Sequence, residues 1–407
     1  MRESDVATEF SGWTRRNLRS ISSRIAQRNV GNNRNVLTIS ARFGLVSQEE
    51  FFNRQVASAD LSQYFKLERG DFAYNKSYSA GYSAGVVRRL ELYETGVVSP
   101  LYICFRVDPA VADPGFIEHY FESGILNGAI LNIAKEGVRN HGLLNVKVGD
   151  FFALDLDLPE LDEQLRIAEI LDEVNRVKRS HQRVLDKLSL VRTELIRHAM
   201  TEGVVRSRAT LGELSDLIVD GVHHTPTYRD SGVPFVTVEN LTRGAGISLV
   251  PVRYISREDH VDFCRRASPS PGDILVSKDG TLGVARVVPA GLPEFSIFVS
   301  VALIRPKRSL LNSRYGCMFF ESPEFFSQLR RLSSGTGLNH IHLRDFRKFE
   351  LDVPGLDAQE EWSFRLKGVD NSIQKEQELL LKVEKIGQSL VDDLLAGRVR
   401  VPVGGER

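Results

Sequence analysis

Cysteine is scarce in this chain: Cys104, Cys264 and Cys317 are far apart in sequence and odd in number. No metal-ligand spacing and no disulfide framework can be built from them. No metal site is assigned, and small buried thiols in a reducing cytoplasm are expected. Long apolar runs are missing too. The longest, Ile297 to Ile304, is far too short to cross a bilayer, so no membrane partner is expected. The opening stretch Met1 to Phe10 is charged and has no apolar centre, so it does not read as a signal peptide. Net charge is also absent, with 53 basic side chains against 53 acidic ones. A nucleic-acid binder is usually basic overall, so binding here requires basic groups segregated onto one face.

Familiar catalytic machinery is lacking. There is no Asn-Pro-Pro-aromatic or Asp-Pro-Pro-Tyr motif for methylating a base amine, and no Gly-rich phosphate loop for a motor. The strand around Asp273 and Lys278 has an acid and a lysine but not the middle acid of a nuclease. No catalytic residue is assigned, and the chain is expected not to be an enzyme by itself.

What is present begins with length. At 407 residues the chain exceeds what one core usually organises, about 250–300 residues, so two or more domains are expected. The strongest internal signal is a duplication. Leu154-Asp155-Leu156-Asp157-Leu158-Pro159 through Leu161-Asp162 to Gln164 aligns with Phe349-Glu350-Leu351-Asp352-Val353-Pro354 through Leu356-Asp357 to Gln359, at an offset of 195 throughout. Asp150-Phe151 and Asp345-Phe346 keep that offset.

A helical pattern follows each copy. Leu161, Leu165, Ala168, Leu171, Val174 and Val177 continue into Val184, Leu188, Val191, Leu195 and Ala199. Trp362, Leu366, Val369 and Ile373 continue into Leu380, Val383, Leu390 and Leu394. Steps of three and four put these residues on one stripe. Pro159 and Pro354 precede the runs, Asp357 with Glu360 suits a capping-box start, and Gly203 and Gly397 suit the ends. Six carboxylates against one Arg between Glu160 and Glu173, then seven basic residues against two acids between Arg176 and Arg197, complement the helix dipole. Each helix, roughly 60 Å long, most simply buries its stripe on the other as an antiparallel coiled coil. His181 and Gln377 interrupt the stripes near their middles. They either meet and fix the register or simply point outward.

The region ahead of each helix is strand-rich. Val233–Val238, Gly272–Ser277 and Ile297–Ile304 read as strands, and 310–332 as one or two helices. Gly70–Lys76, Leu101–Val107 and a helical 116–133 are the counterparts in the first half. The fold class is α+β: two pseudo-repeated mixed α/β domains, each followed by a long helix. The boundaries are 1–157, 158–203, 204–353 and 354–407.

From Leu211 onward the pattern becomes specific. Leu211-Gly212-Glu213-Leu214, Gly221–Tyr228, Gly232-Val233-Pro234-Phe235, Tyr254-Ile255-Ser256, Gly272-Asp273-Ile274-Leu275, Gly280-Thr281-Leu282-Gly283 and Ser334–Ile341 follow in order. This region resembles the specificity (S) subunit of type I restriction–modification enzymes. The first domain is looser: Trp13, Leu18 and Gly70-Asp71 match, while Asn140–Asn145 departs from the Gly-Thr-Gly stretch.

The resemblance implies that each domain is a target-recognition domain for one half of a split double-stranded DNA site. It implies that the helices set the distance between halves and dock two methyltransferase subunits, with motor or nuclease subunits as further partners. S-adenosylmethionine is then expected in the methyltransferase partners and no cofactor in this chain. Two alternatives stay open: a specificity subunit of a related methyltransferase or other phage-defence system, and a coiled-coil scaffold without DNA binding.

Base readout needs polar side chains on exposed loops. In the second domain the candidates are His223, His224, Thr225, Tyr228, Asn240, Arg243, Lys278 and Thr281, with Asn339, His340 and Arg344 as a second cluster. Lys278, on a Gly turn, suits a phosphate better than a base. His340 with His342 suits either DNA or a structural hydrogen bond. His223-His224 resembles a metal pair, but adjacent side chains diverge and no third ligand is evident. In the first domain the candidates are Lys76, Tyr78 and Tyr82. The run Arg15, Arg16, Arg19 to Arg34 suits either phosphate contact or a solvated helix face.

Overall fold

A computed structural model describes residues 12–31, 33–40, 44–52, 60–77, 82–134, 144–201, 207–332 and 339–402. It divides into two compact units: Met1–His181 with Leu379–Arg407, and Gln182–Glu378. The division cuts through both long helices, the central one at Leu161–Thr201 and the C-terminal one at Leu356–Leu394. Asp357 lies inside the first turn of the C-terminal helix rather than at its cap, where its charge still meets the positive end of the dipole. Gly397 adopts φ +62° just past that helix, a conformation that favours glycine. Gly203 lies outside the described residues.

In the first unit an antiparallel sheet runs in the order Ser22–Ile25, Ile103–Val107, Phe72–Asn75, Val86–Arg89. The helix Pro114–Glu122 packs on it, its first turn capped by Asp113, whose carboxylate accepts from Phe116 N at 2.7 Å. A ribbon of Thr14–Asn17 with Asp155–Leu158 leads into the central helix. The core takes in Ile167, Ala168 and Leu171 from the start of the central helix, and Leu394 and Leu395 from the end of the C-terminal one. The helices are in close contact at Gly387, where a Cβ would come within 2.7 Å of Val174.

The second unit repeats the plan. Its sheet order is Ser215–Asp220, Val301–Pro306, Ile274–Ser277, Ala285–Val287. The helix Ser313–Phe320 is capped by Asn312, and the ribbon pairs Ser207–Thr210 with Glu350–Val353. Here the core takes the end of the central helix (Ile196, Ala199, Met200) and the start of the C-terminal one (Leu366). Arg192 bridges Glu321 of the domain and Asp370 of the C-terminal helix, 2.7 Å from the latter. In each unit, therefore, the two helices pair antiparallel.

The expected strand Ile297–Ile304 is two strands. Ser296–Ile297 pairs in parallel with Val233–Val236 in a small second sheet completed by Arg253–Ile255, and the chain turns before re-entering the main sheet at Val301. An apolar run cannot reveal that break, because both pieces are buried.

The duplicated segment has a visible job. Gln164 donates to Pro159 O at 2.8 Å and accepts from Asp113 N at 2.9 Å; Gln359 donates to Pro354 O at 2.8 Å and accepts from Asn312 N at 2.8 Å. In both units one buried carboxamide joins the turn before a long helix to the capping residue of the helix packed on the sheet. The thiols of Cys104 and Cys317 are pushed up to about 12 by burial.

Not every stripe position is covered: Val184 and Val191 are exposed. His181 is half-buried and Gln377 exposed, and they belong to different units.

Candidate nucleic-acid interface

The second unit's main sheet has two unlike ends. Towards the ribbon, buried Asp273 is gripped by Arg305. At the other end Asp220 pairs with Ala302 and Ser277 with Val301, and loops leave the sheet there. Together with the turn of helix at Val238–Thr242 and the segment Pro251–Arg253, those loops line a cavity of about 640 Å³. Four sequence candidates meet in it: Thr225, Tyr228, Asn240 and Arg243. Phe235 and Phe298 supply apolar wall, and Arg253 lies 4.6 Å over the Tyr228 ring.

Placement changes the reading of two candidates. Asn240 is buried, not on an exposed loop. Its side chain accepts from Thr237 N at 2.9 Å and donates to Ser248 O at 2.9 Å and Pro251 O at 3.2 Å, so it shapes the wall. Lys278 is also buried, with 3 % of its side chain exposed. Its Nζ is 3.5 Å from Asp220 Oδ2 and 3.5 Å from Asp279 Oδ2. A phosphate could be met only by abandoning a buried carboxylate, which is costly. Sequence could not distinguish this lysine from a free one, because its partner Asp220 is far away along the chain.

Asp220 collects further partners: His223 Nε2 at 3.1 Å and the guanidinium of Arg266. Burial alone would raise this carboxyl, but the hydrogen bonds from Arg266 and His223 and the nearby cations hold it below its usual range. His224 is exposed and sits edge-on to Phe263 at 5.4 Å, so the two adjacent histidines turn to different neighbours. Among the described residues no three His, Cys, Asp or Glu side chains form a metal-sized group.

Thr281 is exposed on the Gly280 turn, where φ is +67°. Asp279 is hydrogen-bonded to His340, whose ring lies 4.6 Å from His342. Asn339 O accepts from Gly280 N at 3.3 Å, bringing the second polar cluster to the first. Arg344 is exposed, 3.8 Å from Asp345. Residues Ser334–Leu338 lie outside the described residues.

In the first unit, Lys76 and Tyr82 flank the corresponding sheet end and are half-buried; Tyr78 lies outside the described residues. Arg15, Arg16 and Arg19 do not join them. Arg15 is bound to Asp157 at 2.8 and 3.0 Å in the ribbon, and Arg19 precedes the strand at Ser22, the sheet end opposite Asn75. The arginine run is not a helix face. It follows a strand, a single turn and a second strand, and Arg28 lies 4.8 Å over Phe65. Arg253, Arg266 and Phe298 gave no sequence signal. Each is a common residue type, and only the fold brings them to this end.

Residues 210–385 match the model of the type I restriction modification DNA specificity domain. The type I restriction enzyme MjaVIII specificity subunit of Methanocaldococcus jannaschii is 21 % identical over 301 residues, 66 % of this chain and 67 % of that protein. The putative MjaX specificity subunit of the same organism is 21 % identical over 268 residues, 61 % of this chain and 60 % of that one. Residues 210–385 thus carry the type I restriction modification DNA specificity domain, and the chain is similar to type I restriction enzyme specificity subunits. The fold agrees. An S subunit of the type I restriction–modification system from M. genitalium superimposes with TM-score 0.58 at 14 % identity, covering 97 % of this chain and 98 % of that one. A chain from a study of complex assembly and conformational transition of the type I R-M system gives 0.57 at 16 % identity, covering 94 % and 97 %. No helix among the described residues is long and apolar enough to cross a membrane.

Proposed function

We propose that this chain reads a bipartite DNA site, one domain per half-site, and that the second domain reads through the loops around the Tyr228–Arg253 cavity. The observation that carries this is convergence: Thr225, Tyr228, Arg243 and the Gly280 turn, separated in sequence, rim one cavity at one sheet end, inside the region matching the DNA specificity domain. Exposed Thr225 and Arg243 are the groups suited to base edges and phosphates. The chain supplies recognition and no catalysis. Methyl transfer belongs to two methyltransferase partners that carry S-adenosylmethionine, with motor and nuclease subunits joining the full complex.

Exposed apolar side chains on the long helices support docking there. Phe364 is 78 % exposed and Leu190 68 % exposed, so each long helix offers an apolar group that a partner can cover.

The test is selection from a random-sequence duplex pool by the full chain with co-expressed methyltransferase chains. Two short conserved blocks at a fixed gap are expected, and exchanging residues 207–353 for those of a related specificity subunit should alter one block only. Selection of no common sequence would overturn the reading. Lengthening both helices by one turn should change the gap and leave the bases alone. With its zero net charge, the lone chain should bind DNA weakly at physiological salt.

A further inference from the structure

A chain of charges runs through the reading end of the second domain, and its centre is buried. Lys278 and Asp220 face each other with 3 % and 4 % of their side chains exposed. On one side Asp220 holds Arg266, which also donates from Nε to Asp220 O at 3.1 Å and contacts His223 Nε2 at 3.0 Å. On the other side Lys278 meets Asp279, and Asp279 meets His340. The backbone follows the same path: Lys278 N donates to Ser300 O at 2.9 Å, and Ile341 N donates to Lys278 O at 2.8 Å. Gly221, beside Asp220, is packed so closely on the Ile297 backbone that no side chain fits, so the loop carrying His223 to Tyr228 leaves from a fixed point. The buried pair itself, one lysine against one carboxylate, balances in charge, which burial requires.

We propose that Lys278 is a positioning residue for sequence readout: paired with Asp220, it braces the loops at His223–Tyr228, Ser277–Thr281 and Asn339–His342 into one reading unit. The proposal rests on the reading of this end as the DNA-reading end and adds how its specificity is held. A lysine that touches phosphate raises affinity for every sequence. A buried lysine that fixes loops changes how well one sequence is told from another, because base contacts demand placed donors and acceptors. Asp279 and Gly280 also form part of the cavity rim, so the brace reaches the groups that face it.

The experiment uses the full chain with its co-expressed methyltransferase chains and two duplexes of equal length, one selected by the wild type and one scrambled. Lys278→Met and Asp279→Asn should lower the ratio of affinities for the two duplexes by about tenfold. For Lys278→Met, affinity for the scrambled duplex and its salt slope should stay unchanged, and Lys278→Arg should restore part of the ratio. A uniform loss on both duplexes, with the salt slope reduced by about 0.9, would make Lys278 a phosphate contact and overturn the proposal. An unchanged ratio in both variants would overturn it too. Asp279→Asn leaves no buried cation without Asp220, so it decides the matter should Lys278→Met fail to fold. A wild type that prefers neither duplex fails the functional reading itself, a result distinct from variants that keep the wild-type preference.

Discussion

Arg305 grips Asp273 through two hydrogen bonds, Nε to Oδ1 at 2.8 Å and Nη2 to Oδ2 at 2.7 Å. Arg106 holds Asp71 in the same way in the first unit, at 2.6 and 3.0 Å. Each Asp follows a glycine of positive φ, Gly272 at +93° and Gly70 at +92°, and accepts a backbone N–H from the turn before it, at 2.8 Å from Ser270 and 2.7 Å from Glu68. The Gly-Asp pair seen in both halves of the sequence is thus a strand-start clasp. It sits at the sheet end away from the loops proposed to read DNA.

Breaking that clasp should cost stability and spare recognition. Arg305→Ala leaves a buried carboxylate with only its backbone donor, a loss of ~2 kcal/mol in the second unit. Denaturant unfolding should show it, while the affinity ratio between selected and scrambled duplexes stays at the wild-type value.

The carboxamide clamp predicts a comparable loss. Gln359→Ala removes the partners of Pro354 O and Asn312 N at a site with no solvent access. The cost should be about 2 kcal/mol, and Gln359→Glu should not rescue it, because a carboxylate cannot donate to Pro354 O or Leu310 O. Thermal unfolding of both variants checks this.

Arginines at opposite sheet ends should differ in DNA binding. Arg243→Ala, at the cavity, should weaken binding and lower the salt slope by about 0.9, whereas Arg16→Ala, in the ribbon strand of the first unit, should leave both unchanged. Equal losses from the two would contradict the assignment of the reading end.

Above about pH 4.5, two groups of the first unit should withdraw stability as the pH rises. Burial lifts the Glu118 carboxyl to about 7 despite Arg89 beside it, so the folded state holds a proton that the unfolded state releases above about 4.5. His119 is buried, which alone would lower it, but hydrogen bonds to Glu122 and Asp172 raise it above 6.5. Both groups bind protons more tightly when folded. Glu118 therefore withdraws stability between pH 4.5 and about 7, and His119 withdraws it as pH climbs through its raised folded value. Glu118→Gln should remove the first of these slopes in melting curves of the unit, and Asp172→Asn should shrink the second.

The repeat of Leu154–Gln164 at Phe349–Gln359, the apolar stripes and the Gly-Asp pairs are local or periodic, so the sequence alone determined two related domains and two long helices. Its order of motifs from Leu211 to Ile341 carried the resemblance to the DNA specificity domain that matches residues 210–385. Which side chains share an end was decided by tertiary structure. Asn240 and Lys278 look like exposed readers in one dimension, yet each is taken up by partners that only the fold supplies. Arg15 is claimed by Asp157 across a strand pair of long sequence separation, and Arg253 reaches Tyr228 through the small sheet. The physical reason is that periodicity encodes which face of an element is buried, whereas a charge's role depends on what burial places opposite it. That partner comes from contacts between residues distant in sequence.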